Sequence, residues 1–240
     1  MTRPILHTFS ISHFSEKARW GLDWAGIDYE LRPTIPIAHM LNARRLKVPQ
    51  TSVPILEFDD APPIQGSAAI LDWAAEHGSL PSGAEDIEAR VDAKLGRAII
   101  YYFYGEAAID QPATIPPLFT QGLTPGKARL FRVTWPAIRQ LMIRGMGLSA
   151  QGRARARDKI LTELDWLDAA LSDGRPFFAG DAPGRGDIAA AALLAPLVQP
   201  PEHPVYGDHL TVPPLMAADT AAWRERPVMR LVARLYRAYR

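Results

Sequence analysis

Residues 53–77, VPILEFDDAPPIQGSAAILDWAAEH, decide the fold. Residues 53–58 form an apolar run with strand character, Asp59-Asp60-Ala61-Pro62 supplies a turn, and residues 63–65 make a second, brief strand. At Ser67 the period changes: Ile70, Leu71 and Ala74 share one face of a helix that runs to His77 and stops at Gly78. The segment reads ββα. Working back toward the N-terminus, the polar, proline-bearing residues 32–52 hold a short helix over 38–46, and residues 27–31 alternate as a strand. Before them, residues 5–9 are an apolar strand, and from Glu16 the apolar positions Ala18, Leu22 and Ala25 mark a helix ending at Gly26. The first eighty residues therefore predict βαβ followed by ββα.

Beyond His77, GSLPSGA has linker composition and the strand signals stop. The predicted organisation is an α/β domain over 1–78, a linker over 79–85 and an all-helical domain over 86–240. Helices are predicted over 87–107, over 130–146 with Pro136 inside, over 153–171 with Ile160, Leu164, Leu167 and Leu171 in line, over 187–197 and over 228–239. No internal repeat or low-complexity tract is present.

The 27 Lys and Arg against 26 Asp and Glu leave a formal charge of +1, so no global field draws in nucleic acid or an anionic membrane. No apolar run is long enough to span a bilayer, and MTRPILHTFSISHF lacks the pattern of a secretory signal, so the cytoplasm is the expected location. Cysteine is absent, which excludes disulfides, thiolate metal sites and any redox thiol supplied by the protein. The six histidines show no metal-ligand spacing and no glycine-rich phosphate loop appears, so no metal is expected.

Three stretches, SHFSEKARW (residues 12–20), SVPIL (52–56) with QGSAAIL (65–71), and FFAGDAPGRGDIAAAALLAPL (177–197), together resemble the glutathione S-transferase superfamily. SHFSEKARW and Pro200-Pro201-Glu202 are further similar to a bacterial branch of it whose substrates are largely unassigned. The resemblance implies a thioredoxin-like N-terminal domain with a mixed sheet that holds glutathione. It also implies an all-α C-terminal domain forming the pocket for a hydrophobic electrophile, and a homodimer.

Two roles are open for Ser12 from the residues alone: capping the following helix, or donating to an anion held at that helix N-terminus. The resemblance implies contact with the glutathione sulfur, with His13, Phe14 and Ser15 lining the same turn and Ser15 or Ser10 as alternates. His13 either raises the local positive potential or faces solvent. Val53-Pro54, taken alone, is an ordinary trans proline at a strand start; the resemblance implies a cis bond whose Val53 backbone, next to Ser52, pairs with the cysteinyl amide of glutathione. Ser67 is a helix N-cap or, by resemblance, a ligand of the γ-glutamyl carboxylate together with free helix N–H groups. At Gly66 the family usually carries an acid or Gln for the γ-glutamyl ammonium, and Gln65 stands beside it.

Tyr101, Tyr102, Phe103 and Tyr104 cannot all share one helical face; Tyr101, Tyr102 and Tyr104 are the predicted pocket residues, and Phe131, Trp135, Met142 and Met146 add apolar surface for a pocket or a packed bundle. Asp187 is structural, at the start of a helix whose reciprocal capping residue is replaced by Gly184. The arginines of RARARDK (153–159) and of the last helix are expected on solvated faces. Without a protein thiol, conjugation of glutathione to a hydrophobic electrophile leads. A non-catalytic binding or interaction module and a glutathione-dependent peroxidase are the alternatives.

Overall fold

Strand β1 (Ile5–Thr8) is an inner strand of the first half, and its last three residues are buried. In the computed structural model, which describes residues 3–206 and 211–240, β2 (Glu30–Pro33) lies parallel to it with Ile5 opposite Glu30. On its other side β3 (Ile55–Glu57) runs antiparallel, with Ile5 opposite Glu57, and β4 (Ile64–Gln65) pairs antiparallel with β3. The order is β2-β1-β3-β4. Helix α1 (His13–Trp24) makes the crossover between the parallel strands, α2 (Ala38–Arg45) follows β2, and α3 (Ser67–His77) closes the unit.

Leu6 and Leu56 from the sheet meet Ala18 and Leu22 of α1 and Ile70 and Ala74 of α3, the same apolar positions the periodicity picks out. Each fully buried Leu or Ile contributes roughly 2–3 kcal/mol of transfer free energy. Gly21 permits the close approach of α1 and α3, since a Cβ there would sit 2.5 Å from Leu71 Cδ1. Two boundaries differ from the sequence reading. Helix α1 begins three residues earlier, because Ser12 caps it. Strand β2 begins at Glu30 rather than Ile27, because the Ile27 N–H closes the end of α1 on Leu22 O (3.0 Å).

The second half is helical: α4 (Glu85–Arg90), a π-helical stretch (Val91–Gly96), α5 (Arg97–Ala107), α6 (Ile115–Phe119), α7 (Pro125–Met146), α8 (Ala150–Ala170), α9 (Arg185–Val198), α10 (Pro214–Trp223) and α11 (Pro227–Tyr239). The single helix predicted over 87–107 is thus interrupted. The interruption falls where the Phe14 ring lies against Gly96, at which a Cβ would come within 2.3 Å of Phe14 Cζ. Helices α6 and α10 were not predicted. Both carry proline in the first turn, which a sequence scan takes for a breaker although the missing N–H costs nothing there. No helix among the described residues is long and apolar enough to cross a membrane.

Helix α9 is buried along Gly186 to Leu197 and packs against α1 and α11, so it joins the two halves. Gly186 also lets its first turn come close to the start of α4, since a Cβ there would lie 2.1 Å from Ala84 O. Asp187, wholly buried, accepts the N–H groups of Phe178 (2.8 Å), Ala179 (3.1 Å) and Gly184 (3.0 Å). Gly184 offers no side chain in return, and none fits, because its Cβ would be 2.5 Å from Ser82 O.

A buried ionic chain crosses the same junction. Lys17 of α1, with no exposed side-chain surface, places Nζ 2.5 Å from Asp92 Oδ2 and 2.6 Å from Glu88 Oε1. Glu88 also pairs with Arg185, whose Nη1 reaches Asp72 of α3 at 2.7 Å. Removing Glu88 or Lys17, both deeply buried, strands its partner charge in a dry environment, at a cost of about 3–5 kcal/mol. The arginines expected on solvated faces are partly engaged instead. Arg157 holds Asp219 through two 2.7 Å hydrogen bonds, and Arg234 lies over the Phe177 ring at 4.9 Å.

Candidate functional site

The turn between β1 and α1 is closed around Ser12. Its N–H donates to Phe9 O (3.0 Å), its carbonyl accepts the Glu16 N–H (2.9 Å), and its Oγ accepts the Ser15 N–H (3.2 Å). Ser12 is therefore the N-cap of α1, and its own hydroxyl proton is still available for donation. The cap and the anion-donor roles are compatible on one side chain.

Ser12 opens onto a cavity of about 360 Å³ between the two halves, lined among others by Phe9, His13, His39, Phe103, Tyr104 and Met142. No side chain in that lining carries a full charge near neutral pH. His13 is only 4% exposed, and burial pushes its imidazole down to about 4, with the Gly96 carbonyl opposing. His39 is lowered in the same direction, again by burial. His13 neither faces solvent nor adds positive potential, contrary to both sequence expectations. The α1 N-terminus supplies positive potential at this turn, in surroundings of low polarity where a dipole acts more strongly than in water.

The four residues SHFS separate in space. Ser12 and His13 line the cavity, whereas the Phe14 ring packs on Gly96, 4.7 Å from the His13 ring. Ser15 is buried and borders a different, smaller cleft of about 190 Å³ with Ser10, Glu16 and Arg19. Ser10 donates to Gln121 O at 2.7 Å.

A second group is knit together at the β3–β4–α3 junction. The Val53-Pro54 bond is cis, and Pro54 O accepts the Gly66 N–H at 3.0 Å. The Gln65 amide donates to Gln50 O (2.7 Å) and Ser52 O (2.8 Å) and accepts the Gln50 N–H (3.1 Å), so it braces the loop that leads into the cis bond. Gly66 has φ 97 and ψ 144, a backbone region that side chains with a Cβ avoid, which gives a conformational reason for glycine there. Gly66 also occupies the N-cap, and Ser67, 5% exposed, is the first residue of α3 rather than its cap.

The aromatic run of α5 divides by helical geometry. Phe103 and Tyr104 line the cavity, and burial raises the Tyr104 hydroxyl, keeping it protonated. Tyr102 points elsewhere: it is buried and its hydroxyl donates to Asp219 Oδ2 at 2.7 Å. Tyr101 packs half-buried against the helical core outside the lining. Met142 and Met146 reach the cavity, while Phe131 and Trp135 are core, with Trp135 Nε1 donating to Pro112 O at 2.9 Å. Phe9, His39, Phe119 and Tyr206 line the cavity without having been singled out from the sequence. Each is an isolated aromatic in a loop, a short helix or a proline-rich segment, where no periodicity marks a face.

The sequence matches two family descriptions: glutathione S-transferase, N-terminal domain, over residues 6–82, and glutathione S-transferase, C-terminal domain, over residues 150–230. The chain belongs to the glutathione S-transferase superfamily. Solved structures share the fold of this chain across its whole length. A glutathione transferase of Phanerochaete chrysosporium superimposes with a TM-score of 0.63 at 12% identity, covering 100% of this chain and 98% of the other. One of Ceriporiopsis subvermispora, solved in complex with glutathione, gives 0.58 at 15% identity, covering 99% of each chain. The beta-etherase LigF of Sphingobium gives 0.53 at 17%, covering 96% and 98%. No curated protein sequence matches the chain.

Proposed function

We propose that this glutathione S-transferase binds glutathione and conjugates its thiolate to a hydrophobic electrophile. The observation that carries the reading is Ser12, a hydroxyl at the N-terminus of α1 opening onto an apolar cavity of about 360 Å³. A free thiol of this kind has a pKa of roughly 8.5 and is mostly protonated at neutral pH. The helix N-terminus and the Ser12 hydroxyl both favour the anion, so more of the bound thiol is in its nucleophilic form. The thiolate sulfur forms a bond to the electrophilic carbon, and the leaving group departs with its electron pair. The electrophile lies among Phe9, Phe103, Tyr104 and Met142. The cis Val53-Pro54 bond and the α3 N-terminus at Ser67 are the features on which the glutathione backbone and its γ-glutamyl carboxylate would rest. The glutathione complex of the Ceriporiopsis subvermispora protein, which has the same fold, supports this choice of co-substrate.

The test is Ser12→Ala assayed with glutathione and chlorodinitrobenzene. Losing a hydrogen bond to a charged sulfur costs about 1.5–3 kcal/mol, so turnover should fall roughly 10- to 150-fold. Undiminished turnover removes Ser12 from the role. Calorimetry addresses the second reading, a binding module without catalysis, which Gly66 favours because it has no side chain to offer the γ-glutamyl ammonium, while the neighbouring Gln65 Oε1 already accepts the Gln50 N–H. Heat of binding without turnover supports that module, and no heat at millimolar glutathione removes the co-substrate altogether. The cytoplasm and a homodimer complete the proposal; light scattering that returned a monomer mass would remove the dimer.

A further inference from the structure

Both sides of the peptide unit that joins Ile11 to Ser12 are held. On the nitrogen side, the Ser12 N–H donates to Phe9 O at 3.0 Å, a contact within the turn itself. On the oxygen side, Ile11 O accepts a buried 2.6 Å hydrogen bond from the hydroxyl of Tyr206, which lies 195 residues away in the chain. Tyr206 is in turn held by His203. The His203 Nδ1 accepts the N–H groups of both Val205 and Tyr206 at 3.1 Å, and the two rings stack 4.0 Å apart at 16°. An Nδ1 that accepts two hydrogen bonds must be unprotonated, in keeping with burial having lowered His203 to about 4. The Tyr206 ring also lines the cavity onto which Ser12 opens.

From this geometry we infer that Tyr206, oriented by His203, is a positioning residue for the Ser12 turn. The inference rests on the proposed role of Ser12. Rotation of the Ile11–Ser12 peptide about its flanking bonds swings the Ser12 Cα and its hydroxyl away from the α1 axis. A 2.6 Å bond on the carbonyl opposes that rotation from the helical domain, so the placement of the hydroxyl depends on how the two halves dock. The segment PPEHPVY (200–206), in which Pro201, Glu202 and Pro204 are exposed while Pro200, His203, Val205 and Tyr206 are buried, thereby acquires a task in the site rather than in the core alone.

The test is Tyr206→Phe, which keeps the stacked ring and removes only the hydroxyl. With glutathione and chlorodinitrobenzene, kcat should fall about tenfold, and the acid limb of the kcat profile, which reports ionisation in the bound complex, should move up by about one pH unit. Tyr236→Phe is the control: the Tyr236 hydroxyl is buried without a partner among the described residues, and its removal should leave both readouts unchanged. Wild-type kcat and profile in Tyr206→Phe overturn the proposal, as does a loss of thermal stability with the profile unmoved, which would mark a purely structural bond. Ser12→Ala run in parallel separates the two ideas. If it is neutral, the Ser12 reading fails, and the backbone amide resonance of Ser12 becomes the readout: it should move in Tyr206→Phe and stay in Tyr236→Phe, and an unmoved resonance refutes the positioning. Should Tyr206→Phe not fold, His203→Ala, which frees the same ring from its acceptor, is expected to shift the Ser12 resonance and lower kcat in the same direction; no change in either overturns the inference.

Discussion

Asp187→Ala is the substitution whose effect the structure defines most closely. The carboxylate is wholly buried and is the acceptor for three backbone N–H groups, those of Phe178, Ala179 and Gly184, at 2.8, 3.1 and 3.0 Å. Alanine cannot accept, and Gly184 has no side chain with which to compensate. The bonds from Phe178 and Gly184 are fully buried and the one from Ala179 partly so. A buried donor left without a partner costs about 1–3 kcal/mol, and water entering the vacated space recovers part of it, so the net loss should be about 4 kcal/mol. That is a large fraction of the roughly 5–15 kcal/mol by which a protein is stable. With a urea m-value of about 3 kcal/mol per molar for a chain of this size, the unfolding midpoint should fall by more than about 1 M. Asp187→Asn retains one acceptor oxygen but turns an amide donor toward the remaining N–H groups, and should lie between the two. Urea titration followed by tryptophan fluorescence and by far-ultraviolet dichroism measures all three. A midpoint shift in Asp187→Ala below about 0.3 M would show that the backbone finds other acceptors and that the carboxylate does not organise the α9 start.

Stability should also decline with mild acid through buried histidines. His13 and His203 are both lowered by burial from 6.5 to about 4, so between those values the unfolded chain binds protons that the folded chain does not, and stability rises with pH. Going from pH 6.5 to 5 should remove about 1.5 kcal/mol per histidine, and the loss levels off only once the pH has fallen below about 4. Glu57, held at about 2 chiefly by its hydrogen bond from Arg45, contributes only below about pH 4.5, so the upper window reports the histidines; His203→Gln with an unaltered slope there argues against this account. Gly96→Ala should destabilise by about 1–3 kcal/mol, because its Cβ would come within 2.3 Å of Phe14 Cζ. Phe14→Leu should recover part of that loss in a double-mutant cycle on thermal unfolding, and strict additivity would mean that the two residues do not meet.

Local pattern carried much of the architecture. The βαβ-ββα order, the helix from Ser67 to His77 and the apolar faces of α1, α3 and α8 follow from residues that are neighbours in the chain, because helix and strand periodicity is a property of contiguous sequence. Ser12 as a helix start belongs to the same class, since a cap involves residues three apart. The short helices α6 and α10 escaped because their first-turn prolines resemble breakers until the helix is seen to begin there.

Features decided by distant neighbours were not legible. Arg157 looks solvated until Asp219 is placed opposite it, and the four aromatics of α5 offer no choice of face until the cavity exists to receive Phe103 and Tyr104 and the helical core to receive Tyr102. The chain by itself determined that a serine-bearing turn would join β1 to a helix, with capping as one of two roles open to Ser12, and that no protein thiol would stand beside it. Only the packed structure decided that His13 is neutral and that a tyrosine from the far end of the chain grips the peptide leading into Ser12. The physical reason is that desolvation and a hydrogen bond across 195 residues exist only once the two halves have docked, whereas a cap needs one turn of helix.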